Sequence, residues 1–179
     1  MSSPCLAIEV SPAPAAIPWF AIRVKSRREN VIATALRGKG LEEFAPTYRA
    51  RNRWSDRVKE VDVPLFPGYI FCRFDPQHRL PVITTPGIFS IVGFGKTPEP
   101  VDDSEIARIQ SIVSSGALAY PWPFLRIGQK VTIRRGPLTG VDGFLIASKD
   151  QYRLVVSIQL LKRSVATDID RDCVEASCS

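Results

Sequence analysis

The chain has 179 residues, is 45% hydrophobic and carries a formal net charge of +6. That length buries one modest core or two small ones, and the clustering of its fifteen prolines favours two. No apolar run approaches the ~20 residues a helical membrane span requires, and Cys5, Cys72, Cys173 and Cys178 lack paired metal-ligand spacing, so they read as free thiols of a reducing cytoplasm.

Residues 1–17, rich in Ser, Pro and Ala, have no basic n-region and read as a flexible extension rather than a signal peptide. Trp19–Lys25 alternates Phe20, Ile22 and Val24 against its neighbours, as a strand does. Ser26 and Glu29 have the spacing of a capping box ahead of Val31, Ile32, Ala35 and Leu36 at helical intervals, and Gly38 and Gly40 stop that helix. Glu43–Thr47 reads as a second strand. In Tyr48–Lys59, Arg49, Arg51 and Arg53 alternate with Tyr48, Ala50, Asn52 and Trp54, and Ser55-Asp56 supplies turn chemistry, which predicts a long exposed hairpin arm.

Val61–Phe74 reads as one strand, apolar on both faces: Ile70, Cys72 and Phe74 on one side, Tyr69 and Phe71 on the other. A domain this small is expected to cover one face of its sheet with helices. The second face then meets either more of this chain or another protein. Leu80–Thr85 reads as a short helix, Ile88–Phe94 as a strand, and Asp102 with Glu105 as a second cap pattern opening a helix over Asp103–Ser114. This order of strands and helices is α+β. Residues 115–124 lose all periodicity and carry two prolines, which marks a linker between a domain at 18–114 and a second at 125–176. In the second domain, short strands alternate with turns at Gly136-Pro137, Gly140, Gly143 and Lys149–Gln151. About five strands in that length predict a small closed β-barrel. Val131, Ile133, Val155, Val156, Val165 and Ile169 are β-branched, which favours strands over a helical hairpin there.

From Arg23 to Lys59, eleven basic residues face four acidic ones, so this segment holds the whole positive excess. Such a segment suits a polyanion. Arg49, Arg51 and Arg53 fit phosphates, with Tyr48 or Trp54 stacking on an unpaired base; the competing reading is a solvated hairpin whose charges keep an edge soluble. His78 has no ligand cluster beside it and reads as a surface residue. No nucleophile–base set, metal site or cofactor motif is present, so the chain is not expected to be an enzyme.

W-F-x-I-R-V-K at Trp19–Lys25, the F-P-G-Y-I-F run, P-G-I-x-x-x-V-G-F-G at Pro86–Gly95 and V-x-I-x-x-G-P-x-x-G-x-x-G at Val131–Gly143 together resemble the NusG-type transcription elongation and antitermination factors over Trp19–Glu175. F-G-K-T-P-E-P-V-D-D-S-E-I looks closer to the specialised UpxY and RfaH paralogues, although the general factor has a similar pattern and His78-Arg79-Leu80 departs from the RfaH pattern at the gate-loop element. The resemblance implies an α+β N-terminal NGN domain with an antiparallel sheet, followed by a small SH3-like β-barrel KOW domain. It implies binding of the RNA polymerase clamp helices through Phe66, Pro67, Tyr69, Phe71, Phe94 and Ile106. It also implies nucleic acid near the arm in the elongation complex, and a partner of the KOW domain at Leu160, Leu161 and Arg163, either a small-subunit ribosomal protein or Rho. The expected protein is a cytoplasmic monomer without a membrane contact. The alternative reading is a KOW-type RNA- or ribosome-binding module that does not bind polymerase.

Overall fold

A computed structural model describes residues 17–54, 57–122, 129–148, 151–170 and 173–176. The expected N-terminal extension and the tips of two hairpins lie outside the described residues. The N-terminal half contains β1 (Trp19–Val24), α1 (Glu29–Gly38), β2 (Glu42–Phe44), β3 (Thr47–Trp54), β4 (Arg57–Pro64) and β5 (Tyr69–Arg73). These are followed by α2 (Leu80–Ile83), β6 (Ile88–Ile91), β7 (Gly93–Phe94), β8 (Thr97–Pro98), β9 (Pro100–Val101) and α3 (Asp103–Ser114). Its main sheet runs β2-β5-β1-β6, with β9 pairing the start of β1.

The expected continuous strand Val61–Phe74 is two strands. Pro64 and Pro67 lack a donor for the ladder, and Gly68 turns the chain at φ 81°, closed by Tyr69 N–H donating to the Phe66 carbonyl (2.9 Å). The strand expected at Ile88–Phe94 likewise divides into β6 and β7. The period-two reading of β5 holds. Ile70, Cys72 and Phe74 join one buried cluster with Ile32 and Leu36 of α1 and Val82 of α2, and Cys72 is fully buried there. Phe71 joins the other cluster, with Ile106, Ile109 and Ile112 of α3. Helices therefore cover both faces of the sheet, not one. Their triplet spacing gives α3 a single apolar stripe, and that stripe is what closes the second face.

The start of α3 matches the sequence reading: Asp102 caps it by accepting from Ser104 N–H (2.7 Å). The start of α1 does not. Arg28 occupies the cap position without a side-chain bond, and Glu29, 3% exposed, accepts a hydrogen bond from Gly68 N–H at 2.8 Å. A buried backbone donor in a proline-rich turn needs an acceptor, and the glutamate serves it in preference to its own helix end.

The C-terminal half contains β10 (Ala119–Trp122), β11 (Gln129–Ile133), β12 (Asp142–Ser148), β13 (Gln151–Ile158), β14 (Arg163–Ile169) and β15 (Val174–Ala176). They form one antiparallel sheet in the order β10-β14-β13-β12-β11-β15. The expected closed barrel is not what forms among the described residues, because the end strands β10 and β15 do not pair with each other. One of those ends comes from the stretch read as linker: Ala119–Trp122 adds to the edge of β14. Gly143, expected at a bend, sits inside β12, where a Cβ would come within 2.7 Å of Leu154 Cδ1 and 2.8 Å of the Val155 carbonyl. Tyr152 to Ile169 is strand apart from the turn at 159–162, as the β-branched residues predict.

Candidate partner-binding surfaces

The residues expected to meet polymerase divide by exposure. Phe66, Phe71 and Ile106 are buried at 1%, 0% and 0%, whereas Pro67 is exposed and Tyr69 is half-buried. Phe94 is 77% exposed on the β7–β8 hairpin. Phe66 and Phe71 pack edge to face at 5.3 Å and form the floor on which Tyr69 stands.

What stands over Tyr69 is this chain's own C-terminal sheet. The Arg163 guanidinium lies 5.0 Å from the Tyr69 ring centre and donates to the Pro67 carbonyl at 3.3 Å. Leu160 and Leu161, in the turn between β13 and β14, are half-buried against the cluster that contains Phe66, Phe71 and Ile106. That cluster runs on without a break into Leu154, Val156, Ile158 and Val165. Residues expected at two separate partner surfaces are thereby brought to one interface; Phe94 is not in that cluster, and of the arm Tyr48 at its root packs against it.

Two further residues close the interface. Gln159 N–H donates to both carboxylate oxygens of Glu105, 3.3 Å each. Neither stood out in the sequence, because Glu105 has the spacing of a capping glutamate and Gln159 looks like any turn residue. Burial raises the Glu105 pKa, with the Gln159 hydrogen bond acting against it. The docked form thus holds the proton to higher pH than an exposed glutamate does. Where the C-terminal sheet supplies that burial and outweighs Gln159 and Lys162, docking is expected to be firmest on the acid side and to loosen as pH rises through the raised value. Glu105→Gln keeps an acceptor for Gln159 and removes the buried charge. It is expected to favour the docked form at neutral pH and to flatten the pH dependence, read from the Gln159 amide shift across a titration.

The arm is an isolated two-stranded ladder of β3 and β4. Its register sets Arg49 opposite Asp62 and Arg51 opposite Glu60, so the basic row shares its face with acidic neighbours. At its root, exposed Arg49 and half-buried Tyr48 line a cleft of about 600 Å³ that Gly116 and Leu118 close from the far side. The side chains of Arg51, Arg53 and Trp54 lie outside the described residues.

Among the described residues no group of His, Cys, Asp or Glu is placed to hold a metal ion, and no helix is long and apolar enough to cross a membrane. An α+β domain and an antiparallel sheet meet here through apolar side chains. Residues 18–110 match the family described as transcription termination factor nusG. The chain belongs to the NusG family, whose members are transcription termination and antitermination factors. It is 23% identical to the transcription termination/antitermination protein NusG of Helicobacter pylori, covering 88% of this chain and 97% of that one. It is 26% identical to its namesake in Thermus thermophilus, over 86% and 95%. A solved structure described as domain interaction in Thermotoga maritima NusG aligns with a TM-score of 0.49 at 19% identity, covering 89% of this chain and 96% of that one.

Proposed function

We propose that this factor binds the clamp helices of RNA polymerase through the surface around Tyr69, in the cytoplasm, and that its own C-terminal sheet closes that surface in the resting state. When the sheet swings away, the same event releases Leu160, Leu161 and Arg163 for a second partner, a small-subunit ribosomal protein or Rho. The C-terminal unit acts as a KOW-type, SH3-like module in this reading. The observation that carries it is the convergence of both apolar surfaces on one interface. Its polar contacts include Arg163 to Pro67 and Gln159 to Glu105, which are of a kind that partners can replace. A half-buried aromatic close to a proline and supported by buried rings is what interface energetics favour as an anchor.

Arg163→Ala removes the stack on Tyr69 and the bond to Pro67 without touching the apolar floor. It is expected to raise the affinity of the full chain for core RNA polymerase severalfold, measured by titration against labelled polymerase, because closure taxes binding by the fraction of open molecules. Unchanged or weaker binding would overturn closure as the resting control. Retention of RNA binding without any polymerase binding would point to a KOW-type RNA-binding module instead.

The arm is assigned to nucleic acid in the elongation complex. Arg49, Arg51 and Arg53 replaced together by Gln should leave polymerase affinity intact. The change should lower the salt slope of DNA or RNA binding by up to roughly 0.9 for each phosphate no longer neutralised. Asp62 and Glu60 opposite the arginines make a smaller change in slope the expected result. A slope identical to wild type would return the arm to a solvated hairpin.

A further inference from the structure

The linker segment Ala119–Trp122 is built into the C-terminal sheet as its edge strand β10, and this sets how far that sheet travels from α3. Helix α3 ends at Ser114, so only Ser115–Leu118 connect it to β10. Four residues reach roughly 14 Å at full extension. A partner helix is about 10 Å wide with its side chains, and the sheet must clear it as well as α3. On the short tether the sheet can hinge at Gly116, whose φ is 72°, but it stays beside the end of α3. Peeling β10 from β14 frees the chain as far as β11, fourteen residues from 115 to 128, and lengthens the reach to roughly 49 Å.

The strand is made to be detachable. Its ladder with β14 has four residue pairs, and one of them, Pro121 opposite Val165, has no N–H to give. Its aromatic side chains are held by a clip at the sheet surface. Tyr120 O–H donates to Asp168 Oδ1 at 2.8 Å, and Arg153 Nε–H donates to the same oxygen at 3.0 Å. The Arg153 guanidinium lies 5.2 Å from the Trp122 ring centre. The Arg153–Asp168 pair is partly open to water, which makes it a weak tie.

We propose that β10 is a releasable reel: zipped to β14 it confines the C-terminal sheet to the surface around Tyr69, and it peels off when the two halves separate. This rests on the resting closure argued above, and it identifies the segment that limits opening.

The test uses the full chain with Cys5, Cys173 and Cys178 changed to Ser. Ala119→Cys and Thr167→Cys are added as directly opposed residues that a disulfide can bridge across β10 and β14. Tyr69→Ala with Arg163→Ala loosens the interface, and 15N relaxation follows the tumbling of each half. Oxidised protein is expected to tumble as one body and reduced protein as two. Two independent bodies in the oxidised state would overturn the reel, as would one body in both states. A second arm avoids new cysteines: Trp122→Ala with Arg153→Ala, in the same loosened chain, should increase the separation of the two correlation times. No change there counts against the reel. Polymerase affinity is measured in parallel on the chain with native Tyr69 and Arg163. Oxidised and reduced forms that both fail to bind polymerase, while tumbling differs between them as expected, would overturn the polymerase assignment and leave the reel standing.

Discussion

Phe71→Ala is expected to destabilise the protein by about 3–5 kcal/mol, the range for truncating a fully buried aromatic. Phe71 has no exposed surface, meets Phe66 edge to face at 5.3 Å and faces Phe44 at 6.2 Å. It sits where α3 and the main sheet close on each other, so no small shift refills the space. A loss of that size is a large share of the ~5–15 kcal/mol that holds a typical domain folded. A urea titration followed by circular dichroism should show a clearly lowered midpoint. A wild-type midpoint would mean that the side chain is not in the core. Loss of polymerase binding in this variant therefore reports unfolding and says nothing about direct contact.

Tyr69→Ala is the variant that separates contact from folding. The ring is half-buried and its outer face is covered by Arg163 alone among the charged groups that stack on it in the described residues. Truncation of a central aromatic anchor is typically worth ~2 kcal/mol or more, about a 30-fold loss of affinity. In the full chain two effects oppose each other: the anchor is removed, but so is the stack that holds the sheet closed. The clean comparison is Tyr69→Ala/Arg163→Ala against Arg163→Ala, both already freed of that stack. A 30-fold difference between them, with unchanged circular dichroism, is the expected outcome. Equal affinity would remove Tyr69 from the polymerase surface.

The elements that could be read from the sequence are those whose cause is local. Helix α3 begins and ends where Asp102 and the apolar 106-109-113 spacing place it, because a cap and an apolar stripe are both written within a dozen residues; the structure turns Ile112 into the core and leaves Val113 36% exposed. The alternation of β5 and the hairpin arm were legible for the same reason. Glu29 and Glu105 were misleading because a glutamate three residues past a cap looks the same whether it turns back to its helix or reaches a distant N–H. In the structure one serves Gly68, the other Gln159. The path of the C-terminal sheet was hidden because closure depends on how its first and last strands meet, a contact between residues about fifty positions apart. The candidate surfaces were recognisable as apolar, but that they cover each other is a property of two distant segments. Neither segment carries a local mark of its partner.

Cys72 supplies a timer for one motion apart from these, the opening of the N-terminal half itself. Burial, with Glu43 and Glu42 nearby, pushes its thiol up to about 12, so at neutral pH only about one molecule in 10⁵ carries the thiolate that reacts. A thiol reagent therefore modifies this position only in molecules whose sheet has parted from α1 and α2. In a chain with the other three cysteines replaced, the colour change of such a reagent becomes a clock for rare openings of the N-terminal half. It runs without any label having been attached, and it stays silent when only the C-terminal sheet swings away.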